Sequence, residues 1–201
     1  MKKNEIAHYP EITRFIEAQL QSNFRAEGIN DIDIFWKNGE LTSGLKALIQ
    51  EHPAECACLV KYSEITPSLN LDIFGVVTNG IQYEIVILEI KLRTAVGLSE
   101  WSQLIGYNLV SDAKYGLLIN IDAGASDRLA RILSFDEDIS RIVRKRKNGA
   151  AIEHLLGFMQ WNSVTQNFEY SNLGQISSLS LLSTILIEQF RSRLEQENNN
   201  S

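Results

Sequence analysis

The chain has 201 residues, 44% of them hydrophobic and 22% charged, with three prolines and twelve glycines, a balance that fits one globular domain and excludes disordered or fibrous classes. No window approaches the ~20 apolar residues of a spanning helix, and the two lysines of the first ten residues lead into no apolar stretch of signal-peptide length, so a cytoplasmic protein with no membrane partner is expected. A net charge of −6 argues against a uniformly nucleic-acid-binding surface, because phosphate contacts need lysine and arginine.

In chain order, Tyr9-Pro10 opens residues 10–24, where Ile12, Phe15, Ile16, Leu20 and Phe24 sit near helical spacing. Residues 29–37 alternate imperfectly and predict a strand ended by Asn38-Gly39. Residues 43–51 predict a short helix, and 55–63 another strand, on which Cys56 and Cys58 are read as two buried thiols rather than a disulfide or a metal site. LNLDIFGVV from Leu69, the turn Thr78-Asn79-Gly80 and the apolar YEIVILEIKL predict a hairpin. A helix over 98–113 capped by Ser99 follows, then the strand KYGLLINID. RLARIL reads as helical, RIVRKRKNG as a basic stretch, and IEHLLGFMQW and NFEY as strands around the loop 162–166. A helix over 177–196 ends the fold, and residues 197–201 are expected to be disordered.

Chemistry concentrates on the second hairpin strand. Odd-numbered residues between 83 and 92 share one face, so Glu89 and Lys91 are neighbours about 7 Å apart along the strand. Alone they are also what a surface ion pair supplies. Antiparallel pairing across the turn, however, brings Asp72 opposite roughly residues 86–89, so two acids and a lysine can converge. That set suits metal-assisted phosphodiester hydrolysis: Asp72 and Glu89 as hard oxygen ligands for Mg²⁺ or Mn²⁺, the Ile90 carbonyl as a further oxygen, and Lys91 to orient or help deprotonate water and offset charge on phosphorus.

LNLDIFGVV, an EIK beginning seventeen residues after Asp72, and a helix carrying QLIGY together resemble the PD-(D/E)xK nuclease superfamily over about residues 10–121. The resemblance implies an α/β fold with a restriction-endonuclease-like αβββαβ core and mixed central sheet. On it, residues 1–196 form one domain, with a C-terminal hairpin and helix elaboration over 122–196. Asp72 matches the metal-binding Asp, Glu89 and Lys91 the (D/E)xK pair, and Gln103 with Tyr107 the QxxxY element of RecB-like exonucleases. Glu11 looks like an additional site acid, although a charge in a helix's first turn is its plain alternative. Leu71 stands where the family often has proline, and the cysteines of its iron-sulfur members are missing.

The expected activity is Mg²⁺-dependent cleavage of DNA, restriction-like or of a defence or repair type; the alternative is a nuclease-fold module that binds without cutting. Arg141, Arg144, Lys145, Arg146 and Lys147 are the candidate phosphate grip, or else a solvated segment. The apolar face of residues 179–190 is a candidate homodimer surface.

Overall fold

Helical periodicity and strand alternation sort the apolar residues onto the two faces of a single sheet. The structure, a computed structural model, describes residues 4–146 and 149–199. After a short 3₁₀ turn, helix α1 (Tyr9–Ala26) buries Ile12, Ile16, Leu20 and Phe24, a stripe at four-residue spacing. Strand β1 (Asp33–Glu40) leads into α2 (Leu41–Glu51), whose first turn is capped by the Glu40 carboxylate accepting from the Thr42 and Ser43 N–H groups at 3.0 and 2.6 Å. The short helix α3 (Val60–Ile65) precedes the hairpin β2 (Asn70–Thr78) and β3 (Tyr83–Lys91). Then come α4 (Leu98–Ser111), β4 (Tyr115–Ile121), α5 (Asp127–Phe135), β5 (Arg141–Lys145), β6 (Ala151–Asn162), β7 (Asn167–Gly174) and α6 (Leu179–Asn199).

Among the described residues seven strands make one mixed sheet in the order β1-β2-β3-β4-β6-β5, with β7 also on β6. β1, β2 and β3 pair antiparallel, β3, β4 and β6 run parallel, and β5 and β7 lie antiparallel to the first and second halves of β6. One core layer joins α1 and α6 to Ile73, Val86, Leu88, Ile90, Leu117 and Ile119. The other joins α2 to α5 to Phe74, Val76, Ile85, Ile87, Leu118 and Phe158. The chain is thus α/β with helices on both faces, and no helix among the described residues is long and apolar enough to cross a membrane.

Four expectations need correction. Residues 55–63 are not a strand: the buried apolar residues there are Cys56, Leu59 and Tyr62, spaced by three, whereas Val60 is 44% exposed, so a helical period was hidden inside an apolar run. Helix α4 starts from Gly97, whose N–H is taken by the Glu100 carboxylate at 2.9 Å, rather than from Ser99. Helix α6 continues to Asn199, into the segment expected to be disordered. Its apolar face is not a free pairing surface, since Leu182, Leu186 and Phe190 are buried in the core layer with α1, and Phe24 meets Phe190 edge to face.

The Glu40 cap makes a stability prediction. Hydrogen bonds from the Ser43 side chain and backbone, followed by that from the Thr42 N–H, hold this carboxyl down at about 2 against the ordinary 4.5. A folded-state value below the unfolded one contributes stability above about pH 4.5 that is lost as pH falls towards 2. Glu40→Gln is therefore expected to cost about 1 kcal/mol at pH 7, as loss of a cap does. The melting-temperature gap from the parent should narrow between pH 5 and 3; a gap independent of pH contradicts the charged cap.

Candidate active site

Strands β2 and β3 pair from Thr78 opposite Tyr83 down to Ile73 opposite Leu88. One step further the register brings Asp72 opposite Glu89, and there a side chain replaces the ladder: Asp72 Oδ2 accepts from the Ile90 N–H at 2.9 Å. The same oxygen lies 2.9 Å from Lys91 Nζ, and Lys91 Nζ lies 2.5 Å from Glu89 Oε1. Two acids and a lysine from adjacent strands therefore meet around one ammonium group. Glu89 follows Ile85 and Ile87 on the face packed against α4, which explains its depth. Its side chain is 1% exposed, that of Lys91 13% and that of Asp72 22%.

Burial dominates the electrostatics. It pushes the Glu89 carboxyl up to about 7; the hydrogen bond from Lys91 opposes the rise, and the charge of Asp72 adds to it. For Lys91 burial alone favours the neutral amine, but hydrogen bonds to Glu89 and Asp72 outweigh it and raise the pKa. Glu89 Oε2 is buried and receives no hydrogen bond among the described residues. An unsatisfied buried carboxylate oxygen is costly, and such an oxygen beside a second carboxylate is a donor set suited to a hard cation. Among the described residues no group of three His, Cys, Asp or Glu side chains could hold a metal. Mg²⁺, however, is commonly held by one or two carboxylates together with water and substrate phosphate, and Asp72 with Glu89 fits that pattern.

Ile90 enters the site through its N–H, while its side chain fills the core layer of α1. Gln103 and Tyr107 do form a pair, Gln103 Nε2 donating to the Tyr107 hydroxyl at 2.8 Å, but among the described residues neither side chain hydrogen-bonds Asp72, Glu89 or Lys91. Glu11 is engaged elsewhere: His8 Nδ1 lies 2.6 Å from its Oε1, and Trp161 and Gln166 donate to it at 3.1 and 3.4 Å. It is thereby tied to β6 and the following loop rather than to the two site acids.

The basic run is far from the triad. β5 pairs with the start of β6, Arg144 opposite Ile152, whereas the Glu89 register runs through Leu118 to Phe158. That separation is about 20 Å along the strands and about 14 Å across them. Arg141 is paired with Glu153, and Arg144 and Arg146 with Asp112; Lys145 is exposed, and Lys147 lies outside the described residues.

Three residues at the site carry no local sequence signal. Tyr9, the first residue of α1, has its hydroxyl pKa raised by burial, then by the charges of Asp72 and Glu5, with Asp72 also accepting its hydrogen bond. Glu5, on the preceding turn, adds to the field that raises Glu89. Asn120, opposite Lys91 on β4, is fully buried and clamps the chain leaving β3, accepting from the Arg93 N–H and donating to the Arg93 and Gly124 carbonyls at 3.1 to 3.2 Å. A cleft of about 550 Å³ between Cys58, Tyr83, Lys114 and Arg146 lies at the other end of the parallel strands, and none of the triad lines it.

No family model, no curated protein and no solved structure matches the chain. Its function is inferred from the chemistry of the site alone.

Because the folded-state pKa of Glu89 is raised, its cost appears as pH climbs from about 4.5 towards 7. In chelator, Glu89→Gln is expected to raise stability at pH 8 by on the order of 1 kcal/mol and to change it little at pH 5. Urea unfolding at the two pH values checks this; a loss of stability at pH 8 means the carboxylate is held by contacts that outweigh its burial.

Proposed function

We propose that the chain is a metal-dependent DNA nuclease of PD-(D/E)xK type, built on a restriction-endonuclease-like core. The observation that carries the proposal is the convergence of Asp72, buried Glu89 and Lys91 where β2 and β3 stop pairing, with a Glu89 oxygen left unsatisfied. The element order α1, β1, β2, β3, α4, β4 agrees with such a core, α2 and α3 being inserted between β1 and β2.

Asp72 and Glu89 would hold Mg²⁺ or Mn²⁺, which supplies a polarised water and charge neutralisation at the phosphate. In hydrolysis a water oxygen adds to phosphorus, the bond from phosphorus to the leaving sugar oxygen breaks, and a proton passes to that oxygen. Lys91, anchored by the two carboxylates, brings fixed positive charge to the extra negative charge of the transition state. Tyr9 and the Ile90 N–H hold Asp72 in place, and Asn120 holds the backbone two residues past Lys91. Since the arginines of β5 are distant and paired, exposed Arg93, next to the triad, is the better candidate for a phosphate contact.

One observation favours a second reading, a module that binds without cutting: Lys91 already bridges both acids at 2.5 to 2.9 Å, so the three charges largely satisfy one another.

A labelled-oligonucleotide and plasmid assay separates these readings. Cleavage is expected with Mg²⁺ or Mn²⁺, none in chelator, and a loss of about 100-fold or more in both Lys91→Ala and Asp72→Ala. Metal-dependent cutting that survives both substitutions sinks the assignment, and binding without any cutting favours the module.

A further inference from the structure

Beside the triad lies a cleft of about 310 Å³ that the proposed chemistry does not use. Its walls come from the 3₁₀ turn before α1 (Ile6), the start of α1 (Tyr9, Pro10, Thr13) and the sheet (Trp36 and Ile73). It reaches the triad around the end of the sheet through Tyr9, whose hydroxyl bonds Asp72; Ile73, next to Asp72 on β2, points to the α1 face while Asp72 points to the other.

The aromatic element is held in a definite pose. Trp36 on β1 is in register with Gly75 on β2, and a Cβ at position 75 would come within 2.4 Å of the indole ring. The ring therefore lies down on the sheet where glycine leaves room, half-buried and lining the cleft. Ile6, Pro10 and Ile73 give apolar walls. Lys37, paired with Glu51 at 2.7 Å, borders the cleft on β1, and exposed Arg14 stands one turn beyond Pro10 on α1.

We propose that this cleft takes one unstacked base of single-stranded DNA, seated on Trp36 next to the strand bound at the triad, which makes a single strand or frayed end the preferred substrate. The inference rests on the phosphodiester reading of the triad and extends it to substrate class. The volume is at the small end of ligand sites and suits one base rather than a stack. Base stacking on an aromatic ring is sequence-tolerant. A base paired within a duplex stays in its own stack and cannot enter, so duplex loses the contact. The Lys37 ammonium is held by Glu51 on α2, and the site acids repel phosphate unless a divalent cation is bound.

The test separates this inference from the nuclease reading. Lys91→Ala, expected not to cut but to keep both carboxylates, is titrated in Mg²⁺ with a fluorescein-labelled oligothymidine of about 12 nucleotides and with a blunt duplex of the same length. Anisotropy is expected to show the single strand bound about tenfold tighter or better. Tryptophan emission should fall on binding, with Trp36 as reporter because Trp101 and Trp161 are fully buried. In the same background Trp36→Ala should weaken single-strand binding about tenfold, and Trp36→Phe should restore most of it. Thr13→Trp, which fills the cleft from the helix side and leaves Trp36 in place, should weaken it as well. Equal affinity for single strand and duplex, or single-strand binding indifferent to Trp36→Ala and Thr13→Trp, overturns the inference even if the parent chain cuts DNA. Trp36-dependent binding by a parent chain that cuts nothing with Mg²⁺ or Mn²⁺ upholds the cleft and removes the nuclease reading.

Discussion

A carboxylate buried to 1% exposure against a single ammonium group is the constraint around which this end of the molecule is arranged. Glu89 follows Ile85, Val86, Ile87 and Leu88, all in the core, so its charge cannot reach water and must be met locally. Lys91 meets it from the same face two residues on, and Asp72 holds Lys91 from the neighbouring strand. With Glu89 ionised, three charges with a net of minus one stand in a poorly solvated place. Protein stability alone seldom favours that arrangement, because apolar residues of like volume often do as well or better. Charge retained at such cost is what singles this cluster out as the candidate site.

The sheet makes that arrangement possible. Paired strands satisfy their backbone groups with one another, and the site forms where β2 and β3 cease to do so, with the Asp72 side chain taking over the Ile90 N–H. Both sheet faces are covered by helices, so the strand ends are among the few places where polar side chains from several strands can meet near solvent. Asn120 extends the polar row onto β4, and Tyr9 closes it from α1. The three charged groups of the candidate site thus stand on regular elements.

Charge is distributed unevenly for a physical reason. The basic strand β5 is an edge strand, and charged edges resist pairing with other chains. Its arginines are also spent on Asp112 and Glu153, which ties β5 to the end of α4 and to β6. A basic cluster in the sequence therefore stabilises a sheet edge here, at the opposite pole from the acidic site.

The sequence by itself determined the elements with a strong period and the local part of the site. Four-residue spacing made α1 legible, alternation and a turn made the β2–β3 hairpin legible, and the two-residue strand repeat placed Glu89 beside Lys91 with Asp72 across the turn. Only the tertiary structure decided the rest. The helical nature of residues 57–65 depends on which side the core lies, since Cys56, Leu59 and Tyr62 are recognisable as a face only once something covers them. Tyr9, Glu5 and Asn120 reach the site from elements distant in the chain, Glu11 is drawn away by Trp161 and His8, and the face of α6 is consumed by α1. Local patterns record the geometry of one strand or one helix, whereas the company a side chain keeps is set by the packing of whole elements, which no short window of sequence contains.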